Sequence, residues 1–179
     1  VPEPDFLRDT RDGYNATATA YAEAFHDHLR DKPIDRAMLS AFLSANMINE
    51  ARRLNPGLPF DVGSMTDLPY PAGHCGGVCA WYSTIHIPEA MLPQVFSEFH
   101  RVLRPGGGAL LAFQVGDRPR VLEDAFGQRV ALTFHRRRPD VVERLLADAG
   151  LRPYTRLMRE PDDDVESTPQ AYLIVRKLP

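Results

Sequence analysis

Cysteine is scarce: only Cys75 and Cys79 occur in 179 residues. Two cysteines cannot build a disulfide framework. With His74 beside them they match no standard zinc spacing, so both are expected to be structural and no metal site is expected. Long apolar runs are missing, and nothing approaches the ~18–20 residues of a membrane-spanning helix. An excess of positive charge is missing too. Lys plus Arg total 21 against 24 Asp plus Glu, a net charge of −3. That balance argues against nucleic acid as a partner, since such binders show a basic stripe. The start, Val1-Pro2-Glu3-Pro4-Asp5, has neither a basic nor an apolar segment, so no signal peptide and a cytoplasmic location are expected. What is present is a globular composition, 44% hydrophobic and 25% charged. The length bounds the chain to one domain, and 16 prolines favour short elements with firm stops.

Tyr14, Ala18, Tyr21, Ala22 and Phe25 recur at helical spacing, and Asp31-Lys32-Pro33 breaks that helix. A second helix is predicted from Asp35 to Leu43. Ser44-Ala45-Asn46 then reads as a fresh start, with Asn46 as N-cap of a helix that Asn55-Pro56-Gly57 stops. From Leu58 onward strands and helices alternate. Strands are predicted at Leu58–Val62, Gly77–Tyr82, Ala109–Val115, Tyr154–Met158 and Ala171–Val175. The Gly77–Tyr82 strand is expected to be buried on both faces. Helices are predicted from Pro88 to Leu103 and from Pro139 to Ala149, stopped by Arg104-Pro105-Gly106-Gly107 and by Gly150. This alternation predicts an α/β sheet covered by helices on both faces. Ligands of such sheets bind beyond the carboxyl ends of the strands. The residues to watch are therefore Gly63-Ser64-Met65, Trp81 to His86 and Gln114 to Asp117.

The run Phe99-His100-Arg101-Val102-Leu103-Arg104-Pro105-Gly106-Gly107 resembles a motif of class I S-adenosylmethionine-dependent methyltransferases. There a helix ends in an Arg/Lys-Pro-Gly-Gly turn before the fifth strand. Val62-Gly63-Ser64-Met65-Thr66-Asp67-Leu68-Pro69 is similar to the end of the family's third strand. Ala80 to His86 is similar to the end of its fourth, and Ala147-Asp148-Ala149-Gly150-Leu151 to the step before its sixth. The resemblance runs across nearly the whole chain. It implies a single Rossmann-like methyltransferase domain over residues 1–179, with an N-terminal helical cap over 1–34.

One part of the family pattern is missing. No Gly-x-Gly occurs before residue 57, and no acidic ribose clamp precedes it. The family's first strand, Gly-rich turn, helix and second strand, a unit of roughly 30–40 residues, would fall between Ala45 and Asn46. Three readings stay open: residues absent from this sequence, a deletion variant that exchanges elements with a second copy in a homodimer, or a relative without cofactor binding.

The resemblance implies S-adenosylmethionine as cofactor and S-adenosylhomocysteine as product. Ser64 and Met65 would meet the adenine; Trp81, Tyr82 and Ser83 would flank the sulfonium; Tyr14 and Tyr21 would cover the cofactor. His86 or His135 would serve as base for the acceptor. A plain structural role competes at each position: a turn for Ser64, core packing for Met65 and Trp81, a helix cap for His86. Gln114, Gly116 and Asp117 would line the acceptor pocket. Arg136-Arg137-Arg138 is expected to be a solvated face. The function implied is methyl transfer to a small-molecule acceptor, with no membrane partner. The alternatives are a non-catalytic methyltransferase-like binding or assembly protein and, from another class, a nicotinamide oxidoreductase.

Overall fold

The computed structural model describes residues 5–26, 45–162 and 166–179. Its elements are α1 (Asp5–His26), α2 (Ala45–Leu54), β1 (Cys75–Trp81), α3 (Leu92–Val102), β2 (Leu103–Gln114), β3 (Arg120–Ala125), β4 (Gln128–Phe134), α4 (Pro139–Asp148), β5 (Leu151–Arg159) and β6 (Gln170–Lys177). The helix predicted over 35–43 lies outside the described residues. They divide into two compact units. One holds α1, α2 and the β3–β4 hairpin; the other holds the remaining elements.

The larger unit is built on a four-stranded sheet in the order β1-β2-β6-β5. β1 and β2 are parallel, joined through α3; β6 runs antiparallel to both β2 and β5. Register decides which side chains share a face. Ala109, Leu111 and Phe113 lie opposite Val175, Leu173 and Ala171. All six are buried, and this face forms the core. α3 brings Val95, Phe96, Phe99 and Val102 inward, and α4 brings Val142 and Leu146. The two helices pack on each other, α3 against β2 and α4 against β5 and β6. Burying side chains of this size contributes about 1.5–3 kcal/mol apiece.

The Arg104-Pro105-Gly106-Gly107 run, expected to precede a strand starting at Ala109, lies inside β2, and its conformation has a steric explanation. Gly106 takes φ +75°, a left-handed conformation that favours glycine. A Cβ on Gly107 would lie 2.9 Å from the Arg104 carbonyl and 3.1 Å from that of Gly76, so β2 enters beside β1 only without a side chain there. Lys177 donates to the carbonyls of His100 and Leu103, both at 2.8 Å, and so satisfies the C-terminal end of α3.

In the smaller unit α1 packs against α2 and β4. Tyr14, Ala18 and Leu132 form its buried cluster, with Leu122, Val130 and Phe134 against it.

Two strand expectations are corrected. Leu58–Val62 is irregular, and Leu58 and Val62 are 58% and 54% exposed. No described strand pairs with this segment, and β-propensity without a ladder leaves the backbone to water. β1 is only partly buried, with Ala80 its one buried residue, because it is an edge strand rather than one covered on both sides.

Candidate functional site at the strand tips

The carboxyl end of β1 gathers aromatic rings. Trp81, Ala112 and Tyr172 are register partners across β1, β2 and β6 and so share one face. The small Ala112 between them lets the Trp81 and Tyr172 rings meet at 5.4 Å. Tyr82 follows edge-on to Trp81 at 5.6 Å, and its hydroxyl lies 3.3 Å from that of Tyr172. Tyr82 holds φ +48° while its N–H bonds the Ala112 carbonyl at 2.9 Å. A non-glycine residue in that region is strained, and such strain concentrates at functional sites. Burial, and then the hydrogen bond to Tyr172, push the Tyr82 phenol well above its usual range, so it stays neutral. Arg159 reaches the Tyr172 hydroxyl at 3.5 Å and pairs with Glu166 at 2.7 Å.

Beyond the tip, Thr84–His86 forms a single 3-10 turn in which Thr84, Ile85 and His86 are all buried. Arg137 pins this turn. Its guanidinium donates to the Thr84 carbonyl at 2.8 Å and also to that of Ile87. Arg137 is only 4% exposed, which overturns the expected solvated arginine face at this position. Alternation along an extended segment explains the split: Arg138 points outward to Asp140 at 2.9 Å. Burial pulls the Arg137 guanidinium down to about 10, with Glu89 opposing, so it keeps its charge at neutral pH. The His135 N–H donates to the Ile85 carbonyl at 2.7 Å, and the Arg137 N–H to that of Gln114 at 2.9 Å. The 84–86 turn, the 135–137 segment and the tip of β2 are thus laced together. Burial first, and then the charge of Arg137, hold the His135 imidazole below its usual value; Glu89 opposes.

Three polar atoms at the tips are buried and without a hydrogen-bond partner among the described residues: Ser83 Oγ, Gln114 Oε1 and Gln170 Oε1. Gln114 and Gln170 are direct cross-strand partners. Unpaired buried groups of this kind are uncommon and call for a reason.

Ser64 and Met65 stand in the loop after residue 63. The Ser64 hydroxyl is engaged locally, 2.7 Å from Thr66 Oγ1 and accepting the Thr66 N–H at 3.2 Å, while Met65 is buried. Tyr14 belongs to the smaller unit and its buried cluster. Tyr21 falls within α1, with its side chain outside the described residues. Cys79 has its thiol pushed up to about 11 by burial, the state of an inert structural cysteine. Among the described residues no group of three or more His, Cys, Asp or Glu side chains is placed to hold a metal.

Sequence reasoning missed Tyr172, Gln170 and Arg159. Their positions depend on the antiparallel register of β6, whose only trace in the sequence is the apolar run Ala171 to Val175.

The order β1-β2-β6-β5 and the parallel β1–α3–β2 connection define a class: the Rossmann-like fold of S-adenosylmethionine-dependent methyltransferases. A family profile described as "Methyltransferase domain" matches residues 18–107, half of the chain, and the protein belongs to that family of enzymes. A search of curated proteins finds no match. Solved structures share the fold at low identity. A chain of the complex between the Haloferax volcanii Trm112 methyltransferase activator and its methyltransferase is 16% identical, with TM-score 0.70, covering 95% of this chain and 98% of that one. The 1,6-didemethyltoxoflavin-N1-methyltransferase of Burkholderia thailandensis, solved with 1,6-didemethyltoxoflavin and S-adenosylhomocysteine, is 13% identical, with TM-score 0.66 and coverages of 100% and 94%. A methyltransferase of Methanosarcina mazei dependent on S-adenosylmethionine is 15% identical, with TM-score 0.63 and coverages of 76% and 79%.

Proposed function

We propose that this protein moves a methyl group from S-adenosylmethionine to a small-molecule acceptor at the carboxyl end of β1. The observation that carries the reading is the cluster of Trp81, Tyr82 and Tyr172 beside the unpartnered Ser83 and Gln114 atoms. These residues fit the reactive end of that cofactor. Aromatic faces favour a sulfonium cation, and buried acceptors suit polar groups brought in by a ligand. Met65 offers its thioether and backbone to the adenine. The amino-acid and ribose end is served less well, because the Gly-rich turn is missing from the sequence.

The cofactor supplies an already activated methyl group, so the protein's work is alignment and exclusion of water. Trp81 and Tyr82 flank the reacting centre. His135, held neutral, removes a proton from a nitrogen or oxygen acceptor, and His86 orients it. The small-molecule acceptor is supported by the absence of a basic stripe and by the toxoflavin-type neighbour; the Trm112-bound neighbour supports an activator protein as a further partner. A second reading, a non-catalytic binding or assembly protein of the same fold, is favoured by the absent Gly-x-Gly.

Calorimetry with S-adenosylhomocysteine against NAD is the test. Binding of the first alone is expected. A complete polypeptide that ignores both ends the proposal. Intact mass accompanies the titration: 20.1 kDa corresponds to the sequence as it stands, and ~24 kDa would restore a strand–helix–strand unit.

A further inference from the structure

Ser64 and Met65 belong to a loop, residues 64–73, whose bridge from Ser64 to Asp67 is isolated from any strand. α3 holds this loop with the face opposite its core stripe. Gln94, Glu98 and Arg101 recur at spacings of four and three, so they line up along one side of the helix. Each reaches loop backbone. Gln94 Nε2 donates to the Thr66 carbonyl at 3.2 Å. Glu98 Oε2 accepts the Leu68 N–H at 2.9 Å. Arg101 donates to the Tyr70 carbonyl at 2.7 Å and to the Leu68 carbonyl at 2.9 Å, and its own carbonyl accepts the Gly73 N–H at 2.8 Å. Glu98 and Arg101 also close on each other through two bonds, at 2.7 and 2.8 Å. A bidentate pair of this kind fixes direction as well as charge.

We infer that Gln94, Glu98 and Arg101 are positioning residues for the adenine end of the cofactor: they hold the Ser64–Met65 segment in its binding conformation without touching the ligand. The inference rests on the reading of Ser64 and Met65 given above. A loop ordered in advance avoids an ordering cost on binding, so the clasp sets cofactor affinity rather than the rate of the chemical step.

Titration of the whole protein with S-adenosylhomocysteine, paired with amide hydrogen exchange over residues 64–73, tests this. Arg101→Lys keeps the charge but loses the fork. It is expected to weaken binding roughly tenfold and to speed exchange at Leu68 and Gly73. In turnover, KM for S-adenosylmethionine rises while kcat at saturation holds. Glu98→Gln behaves alike, and Glu98→Asp recovers part of the affinity. Ser97→Ala is the control, because its hydroxyl reaches only the Pro93 carbonyl of the same helix, at 2.8 Å. Should Arg101→Lys fail to fold, Gln94→Met removes one exposed donor and gives a smaller loss of the same kind. Binding by the parent with unchanged affinity in the variants overturns the clasp and leaves the cofactor reading standing. No binding by the parent overturns both.

Discussion

His135 shows how burial sets chemistry at single residues. Its cation is disfavoured by burial and by the neighbouring Arg137, so the neutral base persists to lower pH than in a free histidine. The rate–pH profile is expected to rise with a midpoint below 6.5, the usual value, and then to level off. His135→Gln is expected to lower the plateau about a hundredfold and to abolish that rise; an unchanged profile would remove His135 from the reaction. The same shift has a stability consequence. A depressed folded-state pKa contributes stability that is complete above the unfolded value and is lost as pH falls through the folded one. Urea titrations should therefore show an acid-side loss that His135→Gln diminishes. Trp81→Ala should weaken S-adenosylhomocysteine binding less than S-adenosylmethionine binding, since only the latter carries the sulfonium charge. Equal losses would make Trp81 a packing residue. Trp81, Tyr82, Ser83 and His86 were legible as candidates because strand tips in α/β sheets are where ligands sit. Tyr172 was not, because its place beside Trp81 follows from register across Ala112, and no local pattern encodes that pairing.

At the scale of elements, the 3-10 turn of Thr84–His86 depends on a side chain distant in sequence. Arg137 fills the acceptor capacity of the Thr84 and Ile87 carbonyls from inside the fold. Arg137→Met removes the donor to the buried Ile87 carbonyl, while that of Thr84 still accepts the Ile87 N–H at 3.0 Å, and should cost about 1–3 kcal/mol in urea denaturation. Arg138→Ala, at an exposed pair with Asp140, should leave the urea midpoint nearly unchanged. Equal effects would mean that the turn stands without Arg137. A run of three arginines reads as solvated because composition does not reveal which member faces inward. β2, α3 and α4 were legible because their apolar periodicities run uninterrupted between Gly and Pro stops. The β3–β4 hairpin was overlooked although Leu122, Val130, Leu132 and Phe134 alternate. Its turn is formed by Phe126 and Gly127, both at positive φ, and a phenylalanine there hides the usual turn signal.

For the whole molecule, the open side of the sheet decides behaviour in solution. Among the described residues β1 ends the sheet, and no strand pairs with its outer edge. Parallel strands are normally interior, and a bare edge is a template for another chain. Leu58–Val62, expected as a strand, is irregular. The family resemblance places its first strand at this edge, and the sequence has nothing for that place between Ala45 and Asn46. Pairing between two copies, one of the three readings of the Ala45–Asn46 join, would satisfy the β1 backbone. On that reading light scattering on the purified protein gives twice the 20.1 kDa chain mass, and dilution lowers the unfolding midpoint, because an obligate pair is held by concentration. Gly76 is exposed on this strand, and a Cβ there meets nothing closer than the Arg104 guanidinium at 3.5 Å. Gly76→Glu is accordingly expected to fold while its edge charge opposes pairing, shifting the mass toward the monomer. A well-folded monomer in the parent, insensitive to concentration, would show that this edge needs no partner.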